Sequence, residues 1–319
     1  MNTHADSVTI VMPCYNGLPY LPQALASAVA QTHRPEAIIV VDDGSKDDSA
    51  QIVRGFAAEH SGHNIQLIQQ ANAGEPAARN TGIRAARTAW VAMLDTDDWW
   101  DPRKLELQLA AAEEAGPDCV LVHTGWTVHQ QDGGTIPCNL DKAARRTGWC
   151  SEKLLEPISM AHPSIMVRRD ALTKIGGYDA SFKQACDIDL YWRLSAVGTF
   201  AFVPQRLLNY RRHDAQMSAH QADQVAYHHR AVRNFCAAHP QWVAKVGRAN
   251  IDAALAHHAA VKLESLWWRR SLDDFRQLLA YADEQGLDSP AIRTWRRRGR
   301  LPDWLIRVKD RLRGQGRRA

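Results

Sequence analysis

The chain has 319 residues, 45% of them hydrophobic and 23% charged, which allows about two domains and one sizeable core. No apolar run approaches the roughly 18 residues that span a bilayer, residues 1–6 lack the basic and apolar regions of a signal peptide, and the six cysteines show neither a Cys-x-x-Cys pair nor a zinc spacing, so free thiols in the cytoplasm are expected. The net charge of +4 is uneven: from Ala291 onward eleven Lys or Arg face two Asp or Glu, leaving −5 elsewhere, and a local basic end points to an anionic surface rather than to general steering of polyanions.

Ser7 to Met12 is β-branched and apolar and predicts a strand, broken by Pro13-Cys-Tyr-Asn-Gly17. Pro19 to Gln31 places Leu21, Leu25, Ala28 and Val29 at helical spacing, and Ala37 to Val41 predicts a second strand running into Asp42-Asp43-Gly44-Ser45. A helix over 47–60, a strand over 65–68 and a short helix carrying Arg79 and Asn80 follow. Continuous apolar strands alternating with helices predict a mostly parallel sheet flanked by helices, with ligands beyond the carboxyl ends of the strands. Neither a Gly-x-Gly-x-x-Gly fingerprint after a strand nor a P-loop occurs, which argues against classical NAD and P-loop ATP sites. Arg79 can act as a bidentate fork for a diphosphate or carboxylate, or form a surface salt bridge.

The fourth predicted strand, Val91 to Leu94, ends in Asp95, Asp97 and Asp98, and Asp101-Pro102 predicts a helix start. Crowded carboxylates repel one another unless a cation compensates, and hard oxygen ligands suit Mn²⁺ or Mg²⁺, which also hold substrate phosphates. The bland alternative is an acidic loop that caps the next helix.

Pro13-Cys-Tyr-Asn, Val41-Asp-Asp-Gly-Ser45, Ala77-Ala-Arg-Asn-Thr-Gly82 and Leu94-Asp-Thr-Asp-Asp98, in this order, resemble the family 2 glycosyltransferases of GT-A fold, from about Val8 to about His213. The resemblance implies an inverting transfer of a sugar from a nucleotide diphosphate sugar, usually a UDP-sugar, to an acceptor hydroxyl. It implies nucleotide contacts at Pro13, Tyr15, Asp43, Arg79 and Asp95, with Asp42 structural. It also implies a metal held by Asp97 with Asp95 and Asp98, joined by His213 on the metal or the diphosphate.

Cys119 to Val128 alternates as a strand and residues 131–135 form a hairpin-type turn. The segment Ala161 to Asp179 resembles the family stretch ahead of the catalytic acid, so His162 and Ser164 are expected to line the acceptor cleft. Ala185 to Leu194 predicts a helix with Asp187 in its first turn, where the macrodipole alone accounts for an acid. The resemblance makes Asp187 the general base that deprotonates the acceptor, and Asp189 an acceptor-holding or capping residue. The family commonly has Glu-Asp here; this chain has Cys186-Asp187, so the preceding acid is missing. Phe200–Val203 and Arg206–His213 read as two closing strands, with Arg211 or Arg212 available to neutralise phosphate.

From Ala219 the pattern is helical, with starts at Ser271, Ser289-Pro290 and Leu301-Pro302. The expected organisation is a GT-A catalytic domain over 1–218 and a helical, basic C-terminal region over 219–319. Arginines interleaved with Trp304 and Leu305 in Asp303 to Arg313 fit an amphipathic helix at an anionic membrane surface, which makes the expected location cytoplasmic, peripheral on the inner face of the membrane. The alternative is a solvated face packed on the catalytic domain. The expected partners are therefore a nucleotide sugar donor, a saccharide or lipid-linked acceptor and an anionic membrane, with no nucleic acid. The competing reading of another class, a nucleic-acid or polyanion-binding protein using Arg296-Arg-Arg298, lacks any recognition module.

Overall fold

The computed structural model describes residues 6–156, 160–213 and 221–301. The chain divides into two compact units, Met1–Gln216 and Met217–Ala319.

In the first unit the strands are β1 (Val8–Cys14), β2 (Ala37–Asp42), β3 (Ile65–Gln69), β4 (Trp90–Met93), β5 (Trp99–Trp100), β6 (Cys119–His129), β7 (Thr135–Pro137), β8 (Met166–Arg168) and β9 (Thr199–Arg211). The helices are α1 (Leu21–Val29), α2 (Ser49–Glu59), α3 (Glu75–Ala85), α4 (Lys104–Ala115), α5 (Leu140–Ala144), α6 (Arg169–Lys174) and α7 (Cys186–Ser195). The sheet runs β3-β2-β1-β4-β8-β6-β9-β5, with β7 paired to β6. Strands β1 to β4 pair parallel, as the alternation of strand and helix requires. The other half is mixed: β8 runs antiparallel to β4 and β6, and β9 runs parallel to β6.

Successive residues of a strand face opposite sides, and both sides of β2 are covered: Ile38 and Val40 join one core with Leu21, Leu25 and Ala92, while Ile39 and Val41 pack with Ala78. Helix α3 lies close on β1, since a Cβ at Gly82 would stand 2.4 Å from Val11 Cγ1. That closeness brings Arg79, one turn earlier, beneath the ends of β1 and β4.

Three expectations change. The acids do not lead directly into a helix: the chain first forms β5, antiparallel to β9, and α4 begins at Lys104, with Asp101 Oδ1 accepting from the Arg103 N–H at 2.9 Å. The two closing strands are one, β9, with a bulge: Val203 pairs with Thr124 and Arg206 with Gly125, so Pro204 and Gln205 have no place in the ladder. Pro13 does not follow β1 but lies inside it, buried and paired with Val41.

The second unit contains α8 (Gln221–Ala238), α9 (Pro240–Val246), α10 (Arg248–Arg269), α11 (Leu272–Glu284) and α12 (Pro290–Gly299). Ser289 caps α12 as its sequence predicts, its Oγ accepting from the Ile292 N–H at 3.2 Å. The start at Leu301-Pro302 and the amphipathic segment 303–313 lie outside the described residues. Among the described residues no helix is long and apolar enough to cross a membrane.

Candidate active site

The carboxyl ends of β1, β2 and β4 form one edge. Two loops are laced together there: the Asn16 N–H donates to Ser45 Oγ at 2.9 Å, and Asn16 Oδ1 accepts from the Lys46 N–H at 2.8 Å. Tyr15 is 48% exposed at this edge, an aromatic face open to solvent. Asp42 and Asp43 are both buried. Asp42 accepts from the Ser45 N–H at 3.0 Å and from Gln69 Nε2 at 3.0 Å, tying β2 to β3. Asp43 accepts from Gln70 Nε2 (2.7 Å) and from the N–H groups of Ala73 (2.9 Å) and Gly74 (2.8 Å), so it shapes the turn that launches α3. An ionised carboxylate has about four acceptor positions, which leaves Asp43 room for one further donor.

After β4 the Asp98 N–H closes a turn onto the Asp95 carbonyl at 3.3 Å, and one ligand oxygen from each of Asp95, Asp97 and Asp98 lies within 4.8 Å of the others. Asp98 Oδ1 accepts from the Arg211 N–H at 2.8 Å, whereas the buried Oδ2 has no hydrogen-bond partner. Burial and the charges of Asp97 and Asp95 push the Asp98 carboxyl well above the usual range, against the Arg211 contact. Three hard oxygen donors, one of them orphaned and buried, fit a divalent cation. His213 Nε2 stands 3.0 Å from Asp97 Oδ2, beside the same cluster.

Arg211 is anchored to the acid loop. Its Nε donates to the Asp97 carbonyl at 3.0 Å, and its guanidinium lies over Tyr20 (4.4 Å) and Trp99 (4.7 Å), so it clasps the acid loop from β9.

Arg79 is buried, and its Nη2 meets Glu75 Oε1 at 2.5 Å and Asp95 Oδ1 at 2.7 Å, while Nη1 points to Cys186 Sγ at 3.7 Å. Burial opposes its charge, and Glu75 and Asp95 more than restore it. Arg79 thus joins α3, the acid loop and the start of α7. Burial, partly offset by Arg79 and reinforced by Asp95, Asp187 and Asp97, raises Glu75 to about 7. Glu75 is the residue that sequence reasoning missed, although its i,i+4 spacing to Arg79 was a readable signal.

Asp187 is half-buried in the first turn of α7, after Ala185 in the left-handed conformation (φ 54°). Burial raises its carboxyl; Arg79 and the Ile188 N–H oppose this, and Asp95 adds to it, so Asp187 shares one electrostatic environment with the acid cluster. Three acceptor-side expectations meet a different arrangement. Asp189 is buried and bonded to Arg193, with Nε to Oδ2 at 2.8 Å, and Arg193 in turn holds the Ile175 and Gly177 carbonyls at 2.9 and 2.7 Å. His162 is buried, with Tyr178 OH at 2.8 Å from Nε2 and Tyr191 OH at 2.9 Å from Nδ1. Ser164 is fully buried, and its carbonyl accepts from Gln108 Nε2 at 2.9 Å. The side chains of Asp189 and His162 are taken up by these buried partners, whereas Ser164 Oγ is buried without a hydrogen-bond partner.

The six cysteines are free and buried. Cys186 is raised by burial beyond the range of a thiolate, so it stands beside Arg79 as a neutral thiol. At the basic end, Arg293 pairs with Asp288, and Arg296 pairs with Asp283 at 2.6 Å and Asp288 at 2.9 Å, so part of the local charge is neutralised within the unit.

This edge brings together an exposed aromatic face, a cluster of three acids and a separate carboxylate, with one buried arginine between them. The model of the family described as Glycosyl transferase family 2 matches residues 9–176. An uncharacterized glycosyltransferase of Rickettsia typhi is 32% identical over 221 residues, covering 67% of each chain. Chondroitin synthase of Escherichia coli is 29% identical over 229 residues, covering 71% of this chain and 32% of that one. The chain belongs to glycosyl transferase family 2 and is a glycosyltransferase. The crystal structure of S. aureus TarS 1-349 shares the GT-A fold, with a TM-score of 0.56 and 18% identity over 88% of this chain and 92% of that one. TarS 1-349 in complex with UDP-GlcNAc gives 0.58 at 17% identity.

Proposed function

We propose that the protein transfers a sugar from a nucleotide diphosphate sugar, with UDP as the nucleotide, to a hydroxyl of a saccharide or lipid-linked acceptor, with inversion. The observation that carries this reading is Asp187 standing in the same electrostatic environment as Asp95, across Arg79, beside an acid cluster with an orphaned oxygen. The complexes of TarS with UDP-GlcNAc and UDP support the choice of donor.

Tyr15 stacks on the base, and Asp43 uses its remaining acceptor position for a base N–H. Asp97, Asp95 and Asp98 would hold Mn²⁺ or Mg²⁺, which would supply charge neutralisation for the diphosphate, and His213, 3.0 Å from Asp97, would join them. Arg79 steadies Asp95 and adds positive charge on the nucleotide side. Asp187 takes the proton of the acceptor hydroxyl as that oxygen forms its bond to the anomeric carbon and the bond to the diphosphate breaks on the opposite face. A positioned base contributes about 10²–10⁴-fold. The basic end supplies contact with an anionic membrane carrying the acceptor. Family membership favours this enzyme reading over nucleic-acid binding.

The test is UDP release from a panel of UDP-sugars with Mn²⁺. The parent is expected to turn over at least one donor, EDTA to abolish this, and Asp187→Asn to lower kcat about 10²–10⁴-fold with UDP affinity retained. Equal rates for parent and Asp187→Asn would remove the base from the scheme. Flotation of the full chain with anionic but not neutral liposomes, lost on deleting residues 291–319, tests the membrane contact.

A further inference from the structure

Behind Asp187 lies a buried polar chain that the reaction scheme does not use. His162 comes from the short 3₁₀ turn His162–Ser164, Tyr178 from the segment ahead of α7, and Tyr191 from α7 itself. Their exposures are 8%, 3% and 0%, and the imidazole bridges the two phenols at 2.8 and 2.9 Å. Burial, reinforced by Arg79, holds the imidazole neutral. A neutral imidazole offers one donor and one acceptor, so one tyrosine donates to it and the other accepts from it. The chain therefore has a direction, and neither phenol can be exchanged for an apolar ring without orphaning a ring nitrogen.

Both ends of this chain lie beside the reactive apparatus. Tyr191 is one helical turn beyond Asp187, on the same face of α7. The Tyr178 ring lies under the Arg79 guanidinium, 5.5 Å from its centroid. Asn80, the residue after Arg79, grips the Tyr178 backbone twice: Nδ2 donates to the carbonyl at 2.8 Å and Oδ1 accepts from the N–H at 2.8 Å. That grip requires the preceding Gly177, whose φ is +72° and where a Cβ would stand 2.4 Å from Asn80 Oδ1.

We propose that Tyr178, His162 and Tyr191 form a positioning network that fixes Asp187 on α7 relative to Arg79 on α3, and that His162 acts through this network rather than by contact with an acceptor. The inference rests on the reading of Asp187 as the base. Its test uses hydrolysis of whichever UDP-sugar the parent turns over fastest with Mn²⁺, together with calorimetric titration of UDP. Tyr191→Phe and His162→Leu are expected to lower kcat at least tenfold while KM for the donor and Kd for UDP stay within about twofold. His162→Gln, which keeps a donor and an acceptor, is expected to recover most of that loss. Circular dichroism and thermal unfolding confirm that each variant is folded at the assay temperature. Folded Tyr191→Phe and His162→Leu with kcat within twofold of the parent, while Asp187→Asn is inactive, would overturn the network and leave the base standing. An active Asp187→Asn would instead overturn the base reading, and the network with it. Should His162→Leu fail to fold, the near-isosteric Tyr191→Phe and Tyr178→Phe decide the matter.

Discussion

Replacing Arg79 with methionine keeps much of the side chain's bulk and removes the cation that Glu75 and Asp95 share. Removing one partner of a buried ion pair costs about 3–5 kcal/mol because the other charge is left uncompensated. Here the two carboxylate side chains keep 27% and 23% exposure, so water softens the loss and the lower end, about 3 kcal/mol, is expected. In a unit of this size 1 kcal/mol moves the melting temperature by roughly 2–4 °C, so Tm falls about 6–12 °C in EDTA at pH 7.5. Glu75, already raised to about 7, rises further without Arg79. A carboxyl raised in the fold binds more protons there than in the unfolded chain, so stability is lost as pH rises through its folded value, and the deficit is smaller at pH 6 than at pH 8. Mn²⁺ at a hundred times its Kd adds about 2.7 kcal/mol to a state that binds it, so it is expected to recover much of the loss. Scanning calorimetry of parent and variant, with EDTA and with Mn²⁺, reads each of these quantities. A Tm in EDTA within 2 °C of the parent at both pH values would refute the idea that Arg79 neutralises the acids.

Two further outcomes follow from packing and from protonation. Gly82→Ala drives a Cβ to 2.4 Å from Val11 Cγ1 and is expected to destabilise by about 1–3 kcal/mol, seen as a lower urea midpoint at unchanged m. In the second unit His229 and His258 stand 3.3 Å apart, Nε2 to Nδ1, and burial holds them down at about 3 and about 4. A depressed histidine favours the fold when neutral, so stability is complete above about pH 6.5 and falls as pH drops toward the folded values. Thermal unfolding from pH 7.5 to 4.5 should show this slope for the parent, and a His229→Gln, His258→Gln double variant should flatten it.

Strands β1 to β4 were legible because each is a short run rich in apolar and β-branched residues, alternating with glutamine in β3, and nothing distant is needed to form that pattern. The acid motif was legible for the same reason. β5 was not: Trp99 and Trp100 make a strand only by pairing with Asn209 and Leu208, more than a hundred residues on. The bulge at Pro204 and Gln205 likewise disguised β9 as two strands, because the pairing with β6 that unites it is non-local. At Gly125, opposite the bulge, a Cβ would stand 3.0 Å from the Gln205 carbonyl and 2.5 Å from Leu140 Cδ2. His162, Ser164 and Asp189 were read by motif as facing an acceptor. The side chains of His162 and Asp189 are bonded to Tyr178, Tyr191 and Arg193, and the Ser164 backbone carbonyl to Gln108, partners that a local window does not reveal.

The clasp of Arg211 on Asp97 and Asp98 joins positions 113 residues apart in the chain. At ribosomal speeds of about 5–20 residues per second, the last strand emerges roughly 6–23 s after the acids do. Until it docks, β5 has no partner and the three carboxylates are free to spread apart under their mutual repulsion. The geometry of the acid cluster is therefore completed only once β9 has been made, later than the parallel half of the sheet formed by β1 to β4.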